Sequence, residues 1–316
     1  MSLDRRDFLQ KMGGWTAGAL LLPELLLNDS NSKKMFFEIS LAEWSFHKAL
    51  FAKEMTNLDF PMKAKKDFGI NIVEYVSVFF DGKQKDKTYL KELLMRCKDN
   101  GVKNHLIMVD GMGELATIDD AERNKAVENH KQWVEAAKFL GCKTIRVNAG
   151  GKGTPEEMHK AAVDGLGKLA AFAKPYKINV IVENHGGNSS NGKWLSSIMK
   201  EINMKNCGTL PDFGNFCVRR DNKTGSPWEG ECAEEYDRYL GVSELMPYAK
   251  GVSAKTYDFD DKGNCIETDY NKMMKIVKDA GFRGYVGIEY EGDKVSEEEG
   301  IRKTKALLER VGAQLS

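Results

Sequence analysis

An excess of charge of one sign is what this sequence most clearly lacks. The 316-residue chain carries 47 Lys and Arg against 47 Asp and Glu, so its formal net charge is zero. A protein without a basic surplus has no general electrostatic basis for binding nucleic acid or an anionic membrane surface. With 41% hydrophobic and 30% charged residues, the composition is that of an ordinary globular protein.

Cysteine motifs are absent as well. The six cysteines include no C-x-x-C pair, which argues against zinc-ribbon and thioredoxin-like domains. Cys97, Cys142 and Cys207 lie among apolar neighbours and are predicted to pack in the core. Cys217 and Cys232 flank one long segment, and in an oxidising compartment the two could form a disulfide.

The first 30 residues differ from the rest of the chain. The Arg5-Arg6 pair resembles a bacterial twin-arginine export signature, and a weakly apolar stretch follows at residues 15–27. This stretch is short for a membrane span, and Pro23 interrupts it. We therefore predict an export signal over residues 1–30, a periplasmic location and no membrane segment in the mature protein. The alternative is an N-terminal amphipathic helix of a cytoplasmic protein.

Short apolar or β-branched runs alternate with longer segments of helical period from residue 35 onward. Several helical segments end on glycine before the next run, as at Gly69 and Gly141, which is typical of a helix that turns back into a strand. This alternation predicts a parallel sheet with right-handed crossovers, and eight units close it into a barrel. The predicted strands span residues 36–42, 71–78, 104–109, 144–148, 179–183, 207–211, 251–255 and 285–289.

The chain also lacks the glycine-rich phosphate loop of an open, doubly wound sheet. No G-x-G-x-x-G motif follows the first predicted strand, which continues into Glu43-Trp44-Ser45-Phe46-His47. No internal repeat or low-complexity linker divides the sequence. We therefore predict one α/β domain, a single (β/α)8 TIM barrel over residues 35–316, with its active site at the carboxyl ends of the strands.

Three of the predicted strands end in an acidic residue. Glu183 closes the fifth strand, Asp212 follows the sixth and Glu289 closes the eighth. Because the carboxyl ends of barrel strands face one mouth, these carboxylates should lie close together. Crowded carboxylates repel one another, and a divalent cation relieves that repulsion. The pattern predicts a divalent-metal site formed by these three carboxylates.

This pattern resembles the xylose-isomerase-like barrel superfamily, which includes sugar isomerases, keto-sugar epimerases, inosose dehydratases and repair enzymes of the endonuclease IV type. In the epimerase branch, the resemblance implies a divalent metal held by Glu183, Asp212, a histidine after the seventh strand and Glu289. Ser253 occupies the histidine position here, whereas the lysine two residues later is kept as Lys255. The implied metal is Mn, Mg, Co or Zn. The departure at Ser253 leaves open a site without metal.

Further residues near the predicted mouth are candidates for catalysis or substrate binding. His185 lies two residues beyond Glu183, so its side chain should point to the same side and serve as a metal ligand or an acid-base catalyst. Asn215 stands where many members of the superfamily have histidine. The long segment at residues 215–231 is predicted to be a lid. The candidate substrate-binding residues are Lys255, Asn215, Trp44, His47, Asn148 and Trp228, with Glu43, Glu74 and Arg146 as weaker candidates.

The resemblance implies proton transfer next to a carbonyl of a non-phosphorylated carbohydrate, the chemistry of a sugar isomerase or epimerase. Glu183 and Glu289 are then the expected catalytic residues that move the proton. One alternative is a lyase or dehydratase that acts on an oxidised sugar, glycoside or cyclitol through the same enolate. A second is a sugar-binding barrel that has lost catalysis with its histidine. The DNA-repair branch is disfavoured, because the chain has five histidines and no basic surplus. The expected partner is a small carbohydrate, and a homo-oligomer is left open.

Overall fold

Eight parallel strands form the sheet that the sequence predicts. The structure, a computed structural model, describes residues 35–224 and 229–316. In sequence order the sheet strands are separated by helices, and the sheet runs β6-β5-β4-β3-β2-β1-β10-β9. The prediction of a (β/α)8 barrel is confirmed. The strands are β1 (Glu38–Ala42), β2 (Ile72–Val76), β3 (Lys103–Met108), β4 (Thr144–Val147), β5 (Asn179–Glu183), β6 (Cys207–Leu210), β7 (Cys217–Asp221), β8 (Glu231–Glu235), β9 (Val252–Thr256) and β10 (Tyr285–Tyr290).

The helices begin and end at local signals in the sequence. Asp119 accepts the N–H of Glu122 at the start of α4, and Gly141 ends that helix in the left-handed conformation with a φ of 78°. Thr154 and Glu157 form a capping box at the start of α5. The helices are α1 (His47–Phe51), α2 (Phe60–Phe68), α3 (Lys87–Asp99), α4 (Asp120–Leu140), α5 (Pro155–Ala173), α6 (Gly192–Ile202), α7 (Arg238–Leu245), α8 (Tyr270–Asp279) and α9 (Glu297–Leu315).

The barrel closes between β6 and β9 through a short seam rather than a full ladder. An isolated parallel pairing joins Asp212 to Ser253 there. The N–H of Ser253 donates to the carbonyl of Pro211 at 2.9 Å, and the N–H of Phe213 donates to the carbonyl of Ser253 at 3.1 Å. The two ends of the sheet therefore meet at residues that the sequence places in the active site.

The core has an inner and an outer layer. The inner layer is a small apolar plug in the barrel, to which Ile181 of β5 contributes two residues before Glu183 and on the same face. The outer layer lies between strands and helices and includes the fully buried Phe60 and the nearly buried Trp133. The predicted packing cysteines 97, 142 and 207 are buried, as expected. The plug consists of Ala42, Val76, Leu106, Met108, Ile181 and Leu210.

Two sequence predictions fall on parts of the chain that the structure does not describe. The export signal at residues 1–30 and the substrate contact from Trp228 both lie outside the described residues and stay predictions. Among the residues that are described, no helix has the length and apolar character needed to cross a membrane.

The segment after β6, which the sequence predicted to be a lid, contains a β-hairpin. β7 and β8 pair in antiparallel fashion, and β8 is exposed along its whole length. Their charged sequences, Cys-Val-Arg-Arg-Asp and Glu-Cys-Ala-Glu-Glu, have none of the apolar alternation by which strands are recognised. Cys217 and Cys232 form a disulfide across the hairpin. The pairing that the sequence suggested is therefore present.

Replacing both Cys217 and Cys232 by serine is expected to lower the free energy of unfolding by about 2–3 kcal/mol, because a cross-link that closes a loop of about 15 residues restricts the unfolded chain. Urea unfolding followed by circular dichroism measures the change. A reducing agent should destabilise the wild-type protein and leave the double variant unaffected. Equal stability of the two proteins without reductant would contradict the expectation.

Glu43 is a buried carboxyl with a strongly shifted pKa. Its Oε2 accepts the N–H of Val76 at 2.9 Å, and its Oε1 has no hydrogen-bond partner among the described residues. Burial raises its pKa to about 8, although the bond from Val76 acts in the opposite direction. The folded protein therefore holds a proton that the unfolded chain loses near pH 4.5, so this group makes the protein less stable as the pH rises from about 4.5 to 8.

Glu43→Gln should remove this pH dependence, since the amide oxygen still accepts the N–H of Val76 and does not ionise. The unfolding free energy of the variant relative to wild type should increase by about 4 kcal/mol between pH 5 and pH 9. Urea unfolding of both proteins across this pH range measures the difference. The pKa shifts of other buried acids affect both proteins equally and cancel in the comparison. Parallel stability curves for the two proteins would contradict the expectation.

Candidate active site

Three buried carboxylates meet at the carboxyl end of the barrel. Glu183 and Asp212 have no exposed surface, and Glu289 is 3% exposed. One oxygen from each lies within 4.8 Å of an oxygen from each of the other two. The structure thus brings together the three residues that the sequence predicts as metal ligands. We call them the carboxylate cluster.

Asn184 connects the end of β5, where Glu183 lies, to the segment after β6 that carries Asp212. Its side-chain amide donates to the backbone carbonyls of Asp212 and Asn215, both at 3.0 Å, and its carbonyl accepts the N–H of Asp212 at 2.8 Å. Asp212 Oδ1 in turn accepts the N–H groups of Gly214 and Asn215 at 2.8 Å. One carboxylate oxygen is thereby held by backbone donors, and Oδ2 is left to face the site.

Ser253 bridges the carboxylate cluster across the seam. Its Oγ lies 2.6 Å from Asp212 Oδ2 and 3.1 Å from Glu289 Oε2. A hydroxyl has one proton, so it can donate to only one of these oxygens at a time. Towards a metal ion it offers a neutral oxygen where the superfamily pattern has an imidazole nitrogen.

Lys255 compensates part of the negative charge. Its Nζ is 3.1 Å from Glu289 and 3.2 Å from Glu291, and the lysine is almost completely buried. Glu291 also accepts a 2.5 Å hydrogen bond from the indole N–H of Trp44. Burial on its own would raise the pKa of Glu291, but Lys255 and these hydrogen bonds outweigh burial and lower it. Glu291 is therefore ionised at neutral pH.

Arg146 lies between two acids on another side of the site. Its Nη1 is 2.7 Å from Asp110, and its Nε is 2.8 Å from Glu183 Oε2. Arg146 Nε and Glu183 Oε2 are close but are not aligned for a hydrogen bond. Neither atom has another hydrogen-bond partner in the described structure. Asn148 donates to the same Asp110 oxygen at 2.7 Å, and Asn215 donates to Glu183 Oε1 at 3.0 Å.

The site has more carboxyl groups than cationic side chains, an excess that a divalent cation would balance. Burial raises the pKa of Glu183, Asp212 and Glu289, and the nearby Arg146 and Lys255 oppose that rise. With Asp110 and Glu291 included, five carboxyl groups share two cationic side chains. The hydrogen-bond-free Glu183 Oε2 and an all-oxygen donor set suit Mg²⁺ or Mn²⁺, which prefer carboxylate and hydroxyl ligands.

His185 lines the same mouth but does not belong to the carboxylate cluster. Burial, and then the positive charges of Arg146 and Lys255, hold the pKa of its imidazole well below the usual range, while Asp110 acts in the opposite direction. The ring is therefore neutral at pH 7, the form in which it can accept a proton. Its predicted role as an acid-base group stays a prediction.

The mouth is a cleft of about 1120 Å³. Pockets for drug-sized ligands usually measure about 300–1,000 Å³, so this cleft holds more than one sugar ring.

Val218 and Arg220 of the hairpin line this cleft, which places the predicted lid beside the site. Neither Glu43 nor Glu74 lines the cleft, because both are buried, and Glu74 accepts a 2.6 Å hydrogen bond from the hydroxyl of Ser40. Of the predicted substrate-binding residues, the cleft is lined by Trp44, His47, Asn148, Asn215 and Lys255.

Sequence reasoning missed the two acids of this cleft that pair with Arg146 and Lys255, although each had a signal. Asp110 lies two residues after the end of β3, the same distance at which Asp212 was recognised after β6. Glu291 lies two residues after Glu289, and this spacing puts both side chains on one side of an extended chain. Arg146, ranked as a weaker candidate, is a central part of the site.

A comparison with protein-family models gives a match over residues 62–311 to the model described as xylose isomerase-like TIM barrel. The chain belongs to the xylose isomerase-like TIM barrel family. The matched range contains all three members of the carboxylate cluster together with Ser253 and Lys255. No curated protein matches the sequence.

Solved structures similar to this member of the xylose isomerase-like family share its fold at low sequence identity. The IOLI protein with a bound zinc atom has a TM-score of 0.66 and 18% identity, over 88% of this chain and 99% of that one. D-psicose 3-epimerase with D-fructose has a TM-score of 0.64 and 13% identity, over 88% and 100%. The probable 3-DHS dehydratase AsbF from Bacillus anthracis has a TM-score of 0.63 and 17% identity, over 86% and 98%.

Proposed function

We propose that this protein is a metal-dependent sugar isomerase or epimerase that transfers a proton next to the carbonyl of a non-phosphorylated carbohydrate. The observation that carries the proposal is the carboxylate cluster, in which Glu183 and Glu289 reach one point from different strands. The similarity to an epimerase of the same fold supports the same class of reaction.

The carboxylate cluster would hold the metal ion, and the bound ion would supply polarisation of the substrate carbonyl. Glu183 and Glu289 are positioned to take a proton from one carbon and return it. Lys255 keeps Glu289 in place through their 3.1 Å ion pair and can donate to a substrate hydroxyl. Arg146 does the same for Glu183, from which it is 2.8 Å away. Burial of all four side chains excludes water, which strengthens each of these interactions.

The test is an assay in heavy water with a panel of keto-sugars and 3-oxidised glycosides, after elemental analysis of the purified protein. Nuclear magnetic resonance should show a new sugar isomer that carries deuterium at the carbon beside the carbonyl. Protein loaded with Mn²⁺ or Mg²⁺ that neither exchanges nor converts any member of the panel would refute the proposal. It would leave the sugar-binding barrel without catalysis as the better reading.

A lyase or dehydratase that acts on an oxidised sugar, glycoside or cyclitol is the second candidate. The observation in its favour is the neutral imidazole of His185, which lines the same cleft and can accept the proton that an elimination removes. Similarity to a probable dehydratase of the same fold agrees with this reading. An unsaturated product in the heavy-water assay, instead of an isomer, would decide for elimination.

We also propose that the protein works in the periplasm after twin-arginine export. The disulfide between Cys217 and Cys232 supports this location, because disulfides persist in oxidising compartments and are rare in the cytosol. Cell fractionation should find the protein in the periplasm, and Arg5→Lys with Arg6→Lys should retain it in the cytoplasm. Equal distribution of the two proteins would overturn the proposal.

A further inference from the structure

An aromatic wall borders one side of the cleft. In this wall Trp44 and Phe51 line the cleft, and Phe79 packs against both. The ring centroids are 6.0 Å apart for Trp44 and Phe51, 6.0 Å for Trp44 and Phe79, and 5.2 Å for Phe51 and Phe79. Val78 is the residue before Phe79. Phe51 is 56% exposed and Val78 is 50% exposed, and both line the cleft. Large apolar side chains that are exposed next to one another mark a binding surface.

Two neighbouring loops build this wall at the mouth of the barrel. Phe51 ends α1, which follows β1, and Phe79 lies in a 3-10 helix at Ser77–Phe80, which follows β2. Trp44 is fixed by its 2.5 Å hydrogen bond to Glu291 and by stacking on the ring of His47, at a centroid distance of 5.1 Å. These contacts hold the wall in place, and the described residues leave Phe51 at its outer edge exposed to solvent.

The aromatic wall is connected to the carboxylate cluster by a chain of polar contacts. Trp44 bonds to Glu291, Glu291 pairs with Lys255, and Lys255 pairs with Glu289 of the carboxylate cluster. A sugar ring placed on the carboxylate cluster would therefore have its neighbouring group against Trp44 and Phe51. The 1120 Å³ of the cleft leave space for such a group.

We propose that the substrate is a glycoside whose sugar ring carries a carbonyl group, as in a 3-oxidised glycoside, and that the aromatic wall binds its aglycone, an apolar aromatic ring. This inference rests on the proposed function and narrows its substrate class. A flat apolar ring suits the wall better than a second sugar, because Phe51 and Val78 offer no hydrogen-bonding group at its outer part. Binding energy from such a remote group also helps to orient the reacting ring.

Calorimetric titration of the metal-loaded protein with matched pairs of phenyl and methyl β-glycosides of glucose, galactose and xylose tests the proposal. These glycosides lack the carbonyl group, so they serve as analogues that bind without reacting. For at least one sugar, the phenyl glycoside should bind about tenfold tighter than the methyl glycoside, the size expected from stacking one ring. Phe51→Ala should reduce this preference to about threefold or less, because the loss falls mainly on the phenyl glycoside. Phe51→Trp should keep the preference.

Met95→Ala is the matched control, since Met95 is also 56% exposed but lies on α3 outside the cleft. It should bind both glycosides as the wild type does. Equal affinity for phenyl and methyl glycosides, or absence of binding for every pair, would overturn the inference, as would a preference that Phe51→Ala retains. Deuterium exchange without phenyl preference would leave the proposed function standing and remove this inference. Phenyl preference without deuterium exchange on any substrate would leave this inference standing and remove the proposed function.

Discussion

Glu289→Gln is expected to reduce the rate of deuterium incorporation into substrate by about 10²- to 10⁴-fold, the range for loss of a general acid-base group. Glutamine has nearly the same shape as glutamate, but it neither accepts a proton nor carries the charge that pairs with Lys255, 3.1 Å away. The rate is measured by nuclear magnetic resonance in heavy water on protein saturated with metal. Saturation is checked by elemental analysis, so that a lost proton acceptor is distinguished from a lost ligand.

Glu38→Gln serves as the control for this substitution. Glu38 begins β1 at the opposite end of the barrel and is exposed, so the same chemical change there should leave the exchange rate within about twofold of wild type. Thermal unfolding of both variants verifies that the barrel is intact. An exchange rate in Glu289→Gln within tenfold of wild type would exclude Glu289 as the proton acceptor.

Ser253→His is expected to increase the affinity for Zn²⁺ by at least about tenfold, because an imidazole is a far better zinc ligand than a hydroxyl. The wild-type site, with carboxylate and hydroxyl oxygens alone, should favour Mn²⁺ or Mg²⁺. Competition titration of metal-free protein against a chromogenic zinc chelator measures this affinity without reference to activity.

Ser253→Ala is the matched variant for the metal experiment. It removes the hydroxyl that lies 2.6 Å from Asp212 and 3.1 Å from Glu289 but adds no ligand, so its zinc affinity should stay below that of the histidine variant. Circular dichroism checks that both proteins fold. Wild-type protein that already binds zinc as tightly as Ser253→His would show that the serine does not set the metal preference.

The barrel strands were predictable because burial on both faces gives each a short apolar run, as in Val-Ile-Val before Glu183. The carboxylate cluster was predictable for a related reason, since a barrel directs the ends of its strands to one mouth. The resemblance to a known superfamily then supplied the roles of those residues and identified Ser253 as the departure.

The parts that sequence reasoning did not reach depend on partners distant in the chain. Arg146 acquires its importance from Asp110 and Glu183, which are 36 and 37 positions away, and nothing around Arg146 itself indicates both. The β7–β8 hairpin escaped because its strands are charged and lack alternation. Phe51 and Phe79 each read as ordinary apolar residues, and their common surface exists only after β1 and β2 are placed side by side.

The seam between β6 and β9 gives the proposed metal a mechanical role as well. Glu183 and Asp212 lie on one side of this seam, and Ser253 and Glu289 lie on the other. An ion held by the carboxylate cluster would connect the two margins of the sheet at the seam, where isolated bridges replace a continuous ladder. Breathing of the barrel should then be greatest at this line in metal-free protein, and amide hydrogen exchange in β6 and β9 should slow on metal loading while β2 and β3 change little.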